Sequence, residues 1–85
     1  MGERLRGLRA ELAVTDEQLQ VLAEEAGDLH LRSLVSETPM AERDHRDAER
    51  HAEAMRRHRS EVHAEIERVE AEQDQLLDRL LEAQG

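Results

Sequence analysis

The chain has 85 residues, of which 38% are hydrophobic and none is Phe, Trp or Tyr, so it can form at most one small domain. Its formal net charge of −9 argues against nucleic-acid binding as the main role, because affinity for phosphate backbones depends on positive charge. The absence of Cys excludes disulfides, thiolate metal sites and cysteine catalysis.

Nothing in the sequence indicates a membrane or secreted protein. The first residues contain no apolar leader core, and no run of about 18 apolar residues occurs, so we expect a cytoplasmic protein that does not bind membranes. All 12 basic residues are Arg, a bias expected of a bacterium with a GC-rich genome. The acidic, highly charged composition is typical of a coiled coil or long helix when a heptad pattern accompanies it.

The first predicted helix covers about residues 2–35 and ends near Val35. Core-type residues recur there at alternating steps of three and four, which is a coiled-coil seam. These residues are Leu5, Leu8, Leu12, Thr15, Leu19, Leu22, Ala26, Leu29 and Ser33. Thr15 with Gln18 also resembles a capping box, so a break near Thr15 is an alternative. Because the seam crosses Thr15 in phase, we favour one helix.

A short turn over residues 36–38 follows. The only Pro of the chain, Pro39, suits the first turn of a second helix, with Ser36 or Thr38 as its N-cap. Pro also disfavours the helical conformation of the residue before it, which allows the chain to reverse. Because short connections join antiparallel neighbours, the sequence predicts an all-α, antiparallel two-helix coiled-coil hairpin.

The second predicted helix covers residues 39–84, without an internal Gly or Pro. A heptad seam extends along it without a slip. Its positions are Ala41, His45, Ala48, Ala52, Met55, Arg59, Val62, Ile66, Val69, Gln73, Leu76, Leu80 and Ala83.

The two seams predict a register, because facing residues of an antiparallel pair have numbers with a constant sum. A sum of 74 matches all nine residues of the first seam to residues of the second, from Ser33 with Ala41 to Leu5 with Val69. It also places the polar residues Thr15 and Arg59 in one layer, which makes them the predicted register-setting pair. The predicted flanking pairs are Arg4/Glu72, Asp16/Arg56, Glu25/His51, His30/Glu42 and Arg32/Asp44.

Residues 70–84 of the longer second helix overhang the first. Apolar residues at both ends of the hairpin therefore lack partners, which usually indicates an interface. The predicted interface residues are Leu76, Leu77, Leu80 and Leu81 on the overhang and Leu31, Leu34, Val35 and Met40 at the tip. We expect a homodimeric four-helix bundle, in which either each overhang covers the other tip or the two overhangs pair with each other.

One cluster could bind a metal ion. Glu42 and His45 have the Glu-x-x-His spacing, and the register brings His30 opposite Glu42. Because Glu and His are frequent in this chain, such a spacing also arises by chance, and the expectation is that no metal or other cofactor is bound. A basic run around Arg56 and Arg57 could bind phosphate groups. The favoured alternative is that these residues form a solvated face that complements acidic residues of helix one.

No catalytic arrangement is visible in the sequence, so we expect the protein not to be an enzyme. The favoured function is a coiled-coil protein-interaction module that self-associates and binds an unidentified protein as adaptor or regulator. One alternative is a transcription regulator acting on polymerase or a sigma-type factor. Another is a small helical bundle that binds a metal or a nucleotide.

Overall fold

The computed structural model describes residues 2–85, which form two long helices. Helix α1 spans Gly2–Ser36 and helix α2 spans Pro39–Gln84. The helices lie side by side in an extended hairpin with dimensions of 70 × 14 × 13 Å. The predicted all-helical hairpin is confirmed. Neither helix carries an apolar stretch of the length needed to span a membrane.

The reversal between the helices needs only Glu37 and Thr38. The backbone of Glu37 is left-handed, with φ of 51°, and its N–H donates to the carbonyl oxygen of Ser33 at 3.1 Å. A left-handed residue at this place ends many helices by satisfying a free carbonyl group. Thr38 then caps α2, because its hydroxyl oxygen accepts a hydrogen bond from the N–H of Ala41 at 3.1 Å, and Pro39 begins the helix.

The seam residues face the opposite helix. Every seam residue of α1, and every seam residue of α2 from Ala41 to Gln73, is buried or half-buried. The main apolar cluster consists of Leu5, Val62, Ile66 and Val69, with Leu8 and Leu12 packed against it. This cluster contains three of the predicted layers, as the register sum of 74 requires.

Towards the turn the buried residues are smaller. Ala26, Ala48 and Ala52 are the buried apolar residues of this half. Alanine side chains let two helix backbones approach closely, but they remove less apolar surface from water than Leu or Ile. The hairpin therefore has a large-residue core at its open end and a thin alanine core near its turn.

The flanking charges pair differently from the prediction. Within residues 2–85 four interhelical pairs form: Arg4 with Glu65, Arg9 with Glu70, Glu11 with His58, and Asp16 with Arg59. None of the five predicted pairs lies within ion-pair distance among residues 2–85. For three of them the reason is competition within α2, where Glu72 lies 2.9 Å from Arg68, Arg56 lies 3.2 Å from Glu53, and Glu42 lies 4.0 Å from Arg46. Residues three or four apart on a helix are neighbours, so these local partners are within reach whatever the other helix offers.

Candidate interaction surface

The most prominent apolar surface is the end of α2 that extends beyond the start of α1. We name its four leucines, Leu76, Leu77, Leu80 and Leu81, the tail patch; they are 40–66% exposed. The heptad seam continues through this segment, so its apolar face points where α1 would lie if α1 were longer. Gln73 and three of the leucines line a shallow groove there. The tail patch thus presents a helix-binding seam that no residue of 2–85 covers.

A second apolar surface surrounds the turn. We name Leu31, Leu34, Val35 and Met40 the tip patch; all four are exposed, and Val35 is 86% exposed. The two-residue connection leaves no loop long enough to fold back over these side chains. The structure therefore places the eight sequence-predicted interface residues in two patches, one at each end of the hairpin.

The sequence reasoning missed a third apolar surface, in the middle of α1. Val14 and Val21 are 53% and 63% exposed. They do not belong to the seam that faces α2. The signal that could have found them is their spacing of seven residues, which repeats from Gly7 and is met again at Val35.

The predicted register-setting residues, Thr15 and Arg59, lie in the same layer, but their polar groups have different partners. Thr15 is only 2% exposed, and its hydroxyl donates to the carbonyl oxygen of Glu11 at 2.8 Å, so α1 continues through it without a break. Arg59 is half-buried and pairs with Asp16 at the edge of the interface. The layer therefore contains no unsatisfied buried polar group.

We expect Arg59→Leu to raise the melting temperature by about 2–6 °C, measured by circular dichroism. The lost ion pair is half-exposed and contributes at most about 1 kcal/mol, whereas leucine adds apolar volume beside Thr15. Asp16→Asn is the control, because it removes the same ion pair without adding apolar volume. A lower melting temperature for Arg59→Leu, with unchanged oligomeric state, would show that Arg59 forms a specific stabilising pair.

The structure brings two of the three candidate metal ligands together. The imidazole rings of His30 and His45 lie with centroids 4.7 Å apart. His45 Nε2 is 4.0 Å from Glu49, while Glu42 is drawn to Arg46 at 4.0 Å and does not join the pair. Within residues 2–85, no three His, Asp or Glu side chains converge as a metal site requires.

The basic run of α2 does not form a common anion cradle. Arg56 is held by Glu53 on its own helix, and Arg59 by Asp16 on the other. A different charge cluster lies at Glu65, which contacts both Arg4 and Arg68. Its hydrogen bond to Arg68, together with the charges of Arg68 and Arg4, lowers the pKa of the Glu65 carboxyl below its usual 4.5. The favourable contribution of this ionised carboxylate is thus present above pH 4.5 and is lost as the pH falls through the lowered pKa.

Comparison of the chain with protein-family models, with curated proteins and with solved structures found no match. The assignment of function therefore depends on the surface of the hairpin.

Proposed function

We propose that the chain is a non-enzymatic helical-hairpin interaction module that self-associates and also binds a protein partner as adaptor or regulator. The partner displaces the second copy from the same apolar residues. The observation that carries this proposal is the tail patch: a heptad seam that continues beyond α1 with its leucines exposed. An apolar seam of this kind fits another helix.

The size of the tail patch limits what it can do alone. Full burial of one leucine contributes about 1.5–3 kcal/mol, and these four are roughly half exposed, so covering them contributes about 3–6 kcal/mol. Association costs an estimated 4–15 kcal/mol or more. We therefore propose that self-association also uses other apolar surface, such as the four exposed residues of the tip patch.

The slenderness of the hairpin supports a binding role rather than catalysis. The Cα trace is only 14 × 13 Å across, as expected for two helices side by side. Ligand and substrate sites are concave and bury most of their ligand. Two helices side by side offer instead long, open faces, which suit contact with another helical protein.

Sedimentation equilibrium tests the proposal. We expect the full chain to sediment at about twice its mass of 9.8 kDa at a concentration on the order of 10 μM. Replacement of the four tail-patch leucines by Gln should weaken the dimer at least about tenfold, because the loss of a few kcal/mol of apolar burial changes Kd by that factor or more. Truncation after Glu72 should give a monomer with reduced helicity.

The matched control replaces Gln75 and Asp78 by Ala, on the other side of the same segment, and should leave the dimer intact. A full chain that stays monomeric would refute self-association. A Gln variant that dimerises with undiminished affinity would show that the tail patch is not the contact.

The partner-binding part of the proposal is tested by affinity capture. Full chain and the four-Gln variant serve as parallel baits in a lysate of the native source. Proteins that bind the full chain and are lost with the variant are the expected partners. A set of captured proteins that is the same for both baits would contradict binding through the tail patch.

A further inference from the structure

The tail patch lies on the same seam that joins the two helices of the hairpin. This seam of α2 passes from Val69, which belongs to one buried cluster with Leu5, through half-buried Gln73 to the exposed Leu76 and Leu80. Its spacing does not change where α1 begins. A helix that lies in line with α1 and runs antiparallel to α2 would therefore cover these leucines in the way that α1 covers the rest of the seam.

We infer that this helix is the end of α2 from a second copy of the chain, so that two tails pair antiparallel about a two-fold axis. The inference rests on the proposed self-association and names the surface that it uses. Facing residues of two antiparallel copies have numbers with a constant sum, and a sum of 156 places Leu76 opposite Leu80 of the partner subunit. Two-fold symmetry repeats this contact with the roles exchanged.

Two-fold pairing covers both tail grooves at once. Each groove is lined by three leucines and Gln73, so six leucines lose their exposure to water in one contact. The additional apolar surface that one tail patch needs is then the tail patch of the second copy rather than the tip patch. Both tip patches stay exposed in this arrangement.

The ends of the helices select this register. A heptad seam can shift only by steps of seven residues. A sum seven smaller would bring Ala83 of the partner subunit to the level of Leu8, which packs on the core cluster. A sum seven larger would leave Leu76 without a facing residue in the described chain. The sum of 156 brings the end of the second α2 to the level of Gly2, so the exposed last turn of α2 unwinds there, as helix ends do readily.

Two ion pairs of the hairpin show how charges beside the seam pair in this fold. Arg4 contacts Glu65, and Glu11 lies 3.2 Å from His58. In both pairs each residue directly precedes a core-type residue of its own helix. The residue numbers of each pair sum to 69, which is five less than the register sum of 74. A second antiparallel contact built on the same seam is expected to follow the same offset.

The tail carries complementary charges at this offset. Glu72 and Arg79 also directly precede seam residues, and their numbers sum to 151, five less than 156. Arg79 is exposed and takes no part in the ion pairs formed within residues 2–85. Glu72 contacts Arg68 at 2.9 Å, but a carboxylate can accept from two guanidinium groups, as Glu65 does in the hairpin. Two-fold symmetry therefore forms two ion pairs, each between Arg79 of one copy and Glu72 of the other.

The other charges of the tail do not oppose the contact. Asp74, Asp78 and Glu82 occupy the three heptad positions that point away from the seam. The paired segment has about 12 residues and is about 18 Å long. A contact of this size is typical of transient complexes. Transient pairing suits a surface that a protein partner takes over from the second copy.

Charge reversal followed by mixing tests the inference. Glu72→Arg alone and Arg79→Glu alone should each weaken the dimer about tenfold, because both attractive contacts become repulsive. An equimolar mixture of these two variants should dimerise within about twofold of the parent, since a mixed dimer has two attractive contacts again. Sedimentation equilibrium, at the concentration where half of the parent is dimer, measures the average mass. Far-ultraviolet circular dichroism checks that each variant is as helical as the parent.

Asp78→Arg is the matched control, because it changes the charge of the chain by the same amount as Glu72→Arg at an outward position. It should leave the dimer intact, and its mixture with Arg79→Glu should show no preference for mixed dimers. Absence of recovery in the first mixture, as expected for a tail that contacts a tip, would overturn the inference. Equal recovery in both mixtures would also overturn it, because net charge alone would then explain the result. In each of these cases a dimeric parent leaves the proposed self-association intact, whereas a monomeric parent refutes that proposal as well.

Discussion

Replacement of Ile66 by Ala is expected to lower the free energy of unfolding by about 2–4 kcal/mol. Ile66 is buried with Val62 and Val69 in the main apolar cluster, where Leu5 packs from the other helix. No large aromatic ring could move into the cavity that this substitution leaves, because the chain has no Phe, Trp or Tyr. Since small domains are stable by only about 5–15 kcal/mol, this single substitution removes a large share of the total.

Urea unfolding followed by far-ultraviolet circular dichroism measures the effect of Ile66→Ala. Arg57→Ala is the control, because Arg57 is exposed on the same helix and its replacement should change the free energy by less than about 0.5 kcal/mol. Equal midpoints for the two variants would mean that the cluster around Ile66 does not hold the helices together.

Replacement of Ala52 by Leu is expected to cost about 1–3 kcal/mol of stability, for the opposite reason. Ala52 has no exposed surface and lies at the level of Leu22, in the half of the hairpin where alanines allow the backbones to approach. A leucine there must push the helices apart or adopt a strained rotamer. The added apolar volume therefore destabilises the fold rather than filling a space.

Ala54→Leu is the matched control for Ala52→Leu. Ala54 lies two residues away on the same helix but is exposed, so the same change should leave the melting temperature nearly unaltered. If Ala52→Leu melted at or above the temperature of the parent, the helices would be free to separate at this level, and the alanine layer would not set their distance.

The hairpin and its core could be predicted from the sequence because two seams of the same period and a single turn leave little freedom. Once Pro39 marks the reversal, the register sum of 74 follows from aligning Leu5 with Val69 and Leu12 with Val62, and these residues do pack together. The same register predicts that Thr15 is buried next to them, and Thr15 is only 2% exposed. In such a simple fold, periodicity and connection length specify nearly the whole core.

The ion pairs could not be predicted in the same way. The sequence offers Glu72 both Arg68 on its own helix and Arg4 on the other, and the energies of exposed pairs differ by only tenths of a kcal/mol. In the structure Glu72 pairs with Arg68, and Arg4 pairs with Glu65. The left-handed Glu37 was equally hard to foresee, since this conformation is usually adopted by Gly or Asn. The exposed valines of α1 were hard to notice because Asp28 occupies their seven-residue spacing between Val21 and Val35.

The unequal core of the hairpin has a consequence for the way in which the chain reaches its folded state. Contacts near the turn close a short loop, but they join alanines and gain little apolar burial. The contact of Leu5 with the cluster around Val69 gains far more, yet it closes a loop roughly three times as long as that between Ala26 and Ala48. Closing a loop three times as long costs only about 1 kcal/mol more in entropy, but it slows the encounter, so the residues that hold the hairpin most firmly are also those that search longest for one another.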